Sequence, residues 1–261
     1  EYMKALIENN FKIEAVFTQP PNKKSRGMKI NKSPVHLLAN EKKITVYHPI
    51  DFNLETINIL TGIKPDLIIV MAYGKILPKK VLELPKYGCI NIHLSLLPRW
   101  RGAAPIEHTL MNGDKETGVS IIKLIDKLDA GPIIAQNKFK IPFQYNKLQL
   151  SNSLTAIGTN LLINTIPLIL MDKILLNYQD EEKATYASKI NTKSRKINFN
   201  DTTTNIINNI KAHAPKPGVW FYINNERIKI IDAKPGFEKG ATSTIINTNF
   251  EIACIDGSIE P

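Results

Sequence analysis

Two polar side chains stand two residues apart in an otherwise apolar run. Tyr87-Gly88-Cys89-Ile90 leads into Asn91-Ile92-His93, then into a proline-bounded loop, Leu94-Ser95-Leu96-Leu97-Pro98-Arg99-Trp100-Arg101-Gly102-Ala103-Ala104-Pro105. Residues two apart in a strand share a face, so Asn91 and His93 point the same way at a strand end. A carboxamide donor beside an imidazole is suited to stabilising a developing oxyanion and moving a proton. The acidic, glycine-containing loop Leu128-Asp129-Ala130-Gly131 offers a carboxylate, and a carboxylate near an imidazole favours the charged ring. Asp126 is a competing acid in the same loop, and spacing does not choose between the two. A lone histidine at a strand end is more often structural than catalytic. The second polar group on its face tips the reading towards a site.

The elements around this run set the stage. A helix is expected from Tyr2 to Asn9 and a strand over Lys12–Phe17. Ser33-Pro34 reads as an N-cap with proline at the first helical position, opening a helix to about Lys43. Ile44–His48 reads as a strand, and Leu54–Thr61 as a helix ended by Gly62. Asp66–Met71 is a continuous apolar run, as in a strand buried on both faces of a parallel sheet. Pro78–Leu84 is a helix and Cys89–His93 the next strand. Alternating strands and helices indicate an open, mostly parallel, Rossmann-like α/β sheet, whose ligands bind at the carboxyl ends of strands, where Asn91 and His93 sit. Gly118–Leu124 and Pro132–Phe139 follow as strands without an intervening helix. Asn146–Ile166 is a long helix that Pro167 kinks or ends. A polar connector then precedes a helix, Thr203–Ala212. Strand-like runs at Val219–Ile223, Arg227–Ala233, Thr242–Ile246 and Glu251–Ile255 suggest a small β-barrel-like (OB-like) second domain. The expected domains are therefore 1–176, a linker 177–200, and 201–261.

Composition narrows the class. The 261 residues are 43% hydrophobic and 22% charged, ordinary for a soluble globular protein. The longest apolar candidate for a membrane span, Leu161–Met171, is short and interrupted by Asn164, Thr165 and Pro167. Two cysteines, Cys89 and Cys254, lie far apart without CxxC spacing, which reads as a reduced, cytoplasmic setting. The net charge of +10 points to a polyanionic partner, although Lys is abundant along the whole chain. No GxGxxG, P-loop, zinc-ligand spacing or GxSxG elbow is present, which counts against nicotinamide, nucleotide-hydrolysing, zinc and serine-hydrolase chemistry.

The run Gly88–His93, continued by Ser95–Ile106, resembles the signature of the methionyl-tRNA formyltransferases. Thr117-Gly118-Val119 onward to Gly131 is similar to that family's second signature. The resemblance extends upstream through Phe17-Thr18-Gln19-Pro20, Arg26-Gly27, Ser33-Pro34-Val35, Ala72-Tyr73-Gly74 and Ile76-Leu77-Pro78. Downstream it thins to Thr185-Tyr186-Ala187, Pro217-Gly218 and Trp220. It implies the formyltransferase fold and transfer of a formyl group from 10-formyltetrahydrofolate to the α-amino group of methionine on initiator tRNA. Carried over, Asn91, His93 and Asp129 match the catalytic Asn, His and Asp, while Ser95, Leu96, Leu97 and Pro98 match the folate-contacting loop. The implied chemistry has Asn91 and a protonated His93 stabilising the oxyanion, with no covalent enzyme intermediate and no metal. The basic, turn-rich loop carrying Lys23, Lys24, Arg26 and Lys29 matches one that enters the tRNA acceptor stem, Arg26 being its key arginine. Arg99 and Arg101 are open to folate, tRNA or simple loop packing. A monomer without a membrane partner is expected, although the sequence itself does not give the oligomeric state.

The chain also departs from the family. Leu94 replaces a small residue, Lys193 and Ser194 fall where acidic residues are usual, and His108 reads as ordinary helix surface. Both ends look cut: family members begin with a strand and a Gly-Thr-Pro turn feeding the helix near Tyr2. Lacking a central first strand and the last barrel strands, the polypeptide as written is expected to be poorly stable and weakly active. A folate-dependent formyltransferase acting on a purine precursor or an amino sugar is the alternative within the same chemistry. A non-catalytic RNA-binding protein is the alternative outside it.

Overall fold

The computed structural model describes residues 1–23 and 30–261, with backbone alone at 22–23 and 30–31. The elements run in chain order as α1 (Tyr2–Glu8), β1 (Ala15–Phe17), β2 (Asn22–Lys23), β3 (Ile30–Asn31), α2 (Pro34–Glu41), β4 (Thr45–Tyr47), α3 (Leu54–Ile63) and β5 (Ile68–Val70). Next come α4 (Lys79–Leu82), β6 (Cys89–His93), β7 (Arg101–Gly102), α5 (Pro105–Met111), β8 (Glu116–Lys123), β9 (Ile133–Lys140) and α6 (Lys147–Leu170). The last are β10 (Tyr186–Ala187), α7 (Thr203–His213), β11 (Val219–Ile223), β12 (Glu226–Ile230), β13 (Lys234–Pro235), β14 (Ile252–Ala253) and β15 (Ser258–Glu260). These elements fall into two compact units. One comprises Glu1–His93, Ser120–Asn137 and Thr155–Asp180; the other comprises Leu94–Val119, Lys138–Leu154 and Glu181–Pro261.

The first unit is the α/β part. Its four-stranded sheet has the order β5-β6-β8-β9, with β5 parallel and β8 antiparallel to β6. A separate parallel pair joins β1 to β4. Ser33 caps α2 by accepting the His36 N–H at 3.3 Å, with Pro34 at the first helical position, and Asn53 caps α3 by accepting the Thr56 N–H at 2.9 Å. α3 passes Gly62 and ends at Ile63, because Lys64 adopts the left-handed conformation (φ 52) that closes the helix. Leu60, Leu77, Val81 and Cys89 are the buried centre of this unit's core, packed by Phe17, Ile57, Ile68 and Val70. Burial pushes the Cys89 thiol up to about 12, so it behaves as an inert apolar group.

Two expectations need correction in this unit. Ile68, Ile69 and Val70 are each half-buried rather than covered on both faces, and β5 is the edge of its sheet. Pro167 lies inside α6, which continues to Leu170 over 24 residues. Only the last turn follows it, so one helical hydrogen bond is forgone, and Met171 N–H still bonds Pro167 O at 3.0 Å. By length and composition α6 is long and apolar enough to cross a membrane. Leu150, Leu154, Leu162, Ile166 and Ile169 are nonetheless buried, the spacing of a helix that packs into a protein core.

The second unit is built around α7 and short antiparallel strands. β11 and β12 form a hairpin, Val219 opposite Ile230 and Ile223 opposite Glu226. Its turn residues Asn224 and Asn225 both have positive φ (47 and 66), which suits a tight two-residue turn. β15 pairs with both β13 and β14. Ile197, Phe199, Ile206, Ile210, Val219, Phe221, Ile252 and Ile259 make the core. The strand expected at Thr242–Ile246 is replaced by turns with one bridge from Ile245 to Ile252. Local hydroxyl bonds compete there with a ladder, as Thr244 Oγ1 donates to Ala241 O at 2.6 Å and Ser243 has φ 70.

One carboxylate organises the end of this unit. Glu251 accepts from the Ser258 hydroxyl, from the backbone N–H groups of Phe237 (2.7 Å) and Glu238 (2.9 Å), and from Asn247 Nδ2 (2.8 Å). The Ser258 bond and then the Glu238 N–H are the main causes that hold its pKa down at about 2. A depressed carboxylate stabilises the fold above its ordinary value of 4.5 and loses that contribution as pH falls through about 2. Urea unfolding followed by circular dichroism is therefore expected to show stability rising between those pH values, and Glu251→Gln to flatten that rise.

Candidate active site

β6 runs between β5 and β8, so its backbone is held from both sides. Asn91 lies opposite Val70 on one neighbour and Ile122 on the other, and His93 lies opposite Ser120. Ile90 and Ile92 are buried on the opposite face, 1% and 4% exposed. The alternation therefore turns Asn91 and His93 to one face. His93 is buried and Asn91 half-buried.

The third group arrives from the loop between β8 and β9. Asp129 is buried, 8% exposed, whereas Asp126 is exposed. Asn91 Nδ2 donates to Asp129 Oδ1 at 3.4 Å, and His93 Nδ1 is 3.6 Å from Asp129 Oδ2. The second distance is longer than a hydrogen bond. The structure thus brings Asn91, His93 and Asp129 together and leaves Asp126 outside.

Local backbone features explain how the loop reaches the strand. Asp129 has φ 47, a left-handed conformation that Asp tolerates better than most residues. Gly131 passes so close to β8 that a Cβ would stand 1.7 Å from Lys123 O. Lys123 N–H also bonds Pro132 O at 3.0 Å. The sequence reading missed Gln179, whose Nε2 donates to Asp129 O at 2.8 Å and to Gly131 O at 2.7 Å. It lies in a polar connector with no periodicity, so no sequence signal singled it out.

The remaining expected residues sit in the second unit or outside the described residues. Ser95 is fully buried and its Oγ donates to Arg99 O at 2.6 Å; Leu97 is buried, while Leu96 and Pro98 are half-buried. Arg99 is gripped by Asp114 through two bonds of 2.9 and 2.8 Å and lies over the Trp100 ring. Burial pushes the Asp114 carboxyl up, but donors from Arg99, Trp100 and Asn112 outweigh it and hold it below its ordinary value. Arg101, 1% exposed, bonds both oxygens of Glu181. Both arginines tie segments of the chain together, Arg101 from a buried position and Arg99 with its side chain 41% exposed. His108 is more than helix surface, with its ring 5.3 Å from Trp100 and Nε2 3.1 Å from Ser188 O. Lys24, Arg26 and Lys29 lie outside the described residues, and Lys23 is described by its backbone alone.

A second feature of this unit is a basic recess lined by Arg195, Pro217, Gly218, Trp220, Arg227 and Lys229. The Arg227 guanidinium lies 4.3 Å from the Trp220 ring centroid, and Lys196 Nζ is 5.9 Å from it.

Comparison with known proteins gives this geometry its context. The formyl transferase family model matches residues 1–166, and the formyl transferase C-terminal domain model matches residues 189–261. The chain belongs to the formyl transferase family. It is 42% identical to the methionyl-tRNA formyltransferase of Pelagibacter ubique, over 97% of this chain and 82% of that one. Identity is 41% to the methionyl-tRNA formyltransferase of Rickettsia bellii, over 97% and 83%. Among solved structures, an N-formyltransferase from Helicobacter canadensis in complex with folinic acid and dTDP-3-aminofucose is similar in fold. Its TM-score is 0.72 at 22% identity, covering 99% of this chain and 92% of that one.

For a formyl transferase the burial difference between the two loop acids makes a sharp expectation. Asp126→Asn should leave the transfer rate within about twofold of wild type, as for an exposed group away from the chemistry. Asp129→Asn should lower kcat by roughly 10²- to 10⁴-fold, the range for losing a group that supports proton transfer. Steady-state formyl transfer by the two purified variants checks both.

Proposed function

We propose that this chain transfers the formyl group of 10-formyltetrahydrofolate to the α-amino group of methionine on initiator methionyl-tRNA, in the cytoplasm and as a monomer. The observation that carries the reading is the convergence of Asn91, His93 and Asp129 in one buried cluster. The named relatives at about 40% identity add the acceptor.

In this reading the folate supplies an activated formyl carbon. Asn91 offers the second hydrogen of its carboxamide to the oxygen that turns negative as the amine attacks, and His93 lies beside it on the same face. Asp129 faces Nδ1, so Nε2 is the nitrogen directed to substrate. The new bond joins the methionine nitrogen to the formyl carbon, the bond from that carbon to folate N10 breaks, and the proton lost by the amine goes to N10 by way of His93 or a bound water. Asp129 keeps the ring oriented and balances its charge while it carries the proton. The folate-contacting loop is Ser95–Pro98, two residues beyond His93 in the chain. Its half-buried Leu96 and Pro98 supply the contact, while buried Ser95 and Leu97 hold the loop's shape.

Lys23, Lys24, Arg26 and Lys29 serve the tRNA, as do the cations Arg195, Arg227 and Lys229 of the recess around Trp220, which suit phosphate. The functional boundaries are 1–176 for transfer, 177–200 for the connector and 201–261 for tRNA binding. A formyl transferase for an amino sugar is the second reading, favoured by the dTDP-3-aminofucose in the Helicobacter canadensis structure. The net charge of +10 and the basic recess favour the nucleic acid.

A radiolabelled-formyl assay offering charged initiator tRNA, an amino-sugar nucleotide and a purine precursor separates these. Label is expected in the tRNA alone and should vanish with His93→Ala while tRNA binding persists. Binding should weaken roughly tenfold or more between about 50 and 200 mM salt. Label in the sugar nucleotide would overturn the acceptor, and label unaffected by His93→Ala would overturn the chemistry.

A further inference from the structure

The loop that presents Asp129 is irregular. Ala130 N–H reaches Lys127 O only at 3.4 Å, and the left-handed Asp129 prevents the segment from continuing any regular pattern. Two carbonyls, on either side of Ala130, meet one donor. Gln179 Nε2 gives one hydrogen to Asp129 O at 2.8 Å and the other to Gly131 O at 2.7 Å.

Gln179 is itself held in place. Asn177 exchanges two backbone hydrogen bonds with Ile133, at 2.7 and 2.9 Å, which fixes the connector against the start of β9 two residues before the glutamine. The half-buried carboxamide therefore bridges a fixed backbone and the loop that carries Asp129. We propose that Gln179 is a positioning residue for formyl transfer, fixing the backbone on both sides of Ala130 so that the Asp129 carboxylate stays against His93 and Asn91. This rests on the reading of Asp129 as a working member of the site. Gln179 touches no reacting atom; it acts through Asp129.

The chemistry demands a donor with two hydrogens on one atom. A methionine of similar length offers none, and an asparagine falls one methylene short of both carbonyls. Released, Asp129 drifts from the imidazole, and misplacements on the order of 1 Å cost up to about a hundredfold in rate.

The test compares wild type with Gln179→Met, Gln179→Asn, Asp129→Asn and the double variant Asp129→Asn/Gln179→Met, each as the full chain with formyl-folate and charged initiator tRNA. Thermal melts serve as a folding control, and Gln179→Asn carries the test if the methionine variant does not fold. Both single Gln179 changes are expected to lower kcat by roughly ten- to a hundredfold, with KM for either substrate within about twofold of wild type. In the double variant kcat should stay within about twofold of Asp129→Asn alone, since a residue acting only through Asp129 has nothing left to position. Retention of more than half the wild-type kcat, a loss confined to KM, or a double-variant loss equal to the product of the single losses would each overturn the proposal. A wild-type chain that transfers no formyl overturns the reading of the site as well.

Discussion

Burying the Asp129 carboxylate against a histidine and a carboxamide on one strand is the constraint from which the neighbouring chain takes its shape. An ion taken out of water loses several kcal/mol of hydration unless partners replace it. Here Asn91 and His93 supply them, and both must point to one side of β6. That requires β6 to be an inner strand with its register fixed on both edges, which β5 and β8 provide. The loop must also approach closely enough to deliver the acid. Gly131, slipping past Lys123 O where no side chain fits, makes that approach sterically possible.

The second unit handles charge in another way. Arg99 and Arg101 are paired with Asp114 and Glu181, so two cations beside a candidate ligand loop serve as ties between segments of chain. A planar guanidinium bonding both oxygens of a carboxylate fixes orientation as well as distance. Glu251 does the same work for the strands at the end of the chain, gathering two backbone N–H groups that have no ladder partner. The cations around Trp220, by contrast, line an open recess.

Local chemistry made most elements of this fold legible in the sequence. Ser33-Pro34 marked the start of α2, the Cys89–His93 run was a strand as expected, and β11 occupies the expected Val219–Ile223. Where the reading failed, a tertiary fact was missing. The apolar run at Ile68–Val70 carries no record of lying at an edge, and Thr242–Ile246 carries none of the hydroxyl bonds that curl it into turns. The polar pair Asn91 and His93 was legible because strand geometry alone aligns it. Spacing left Asp129 and Asp126 open and the family resemblance alone chose between them, whereas finding Gln179 required seeing a connector fold back over a loop it follows by nearly fifty residues.

Both tryptophans of the chain, Trp100 and Trp220, belong to the second unit, while Asn91, His93 and Asp129 belong to the first. Indole emission is thus a local reporter. Each ring carries an arginine over its face, 4.4 Å away at Trp100 and 4.3 Å at Trp220, where a nearby cation alters the excited state. The chain carries its own optical label for events around the recess and the Arg99 turn.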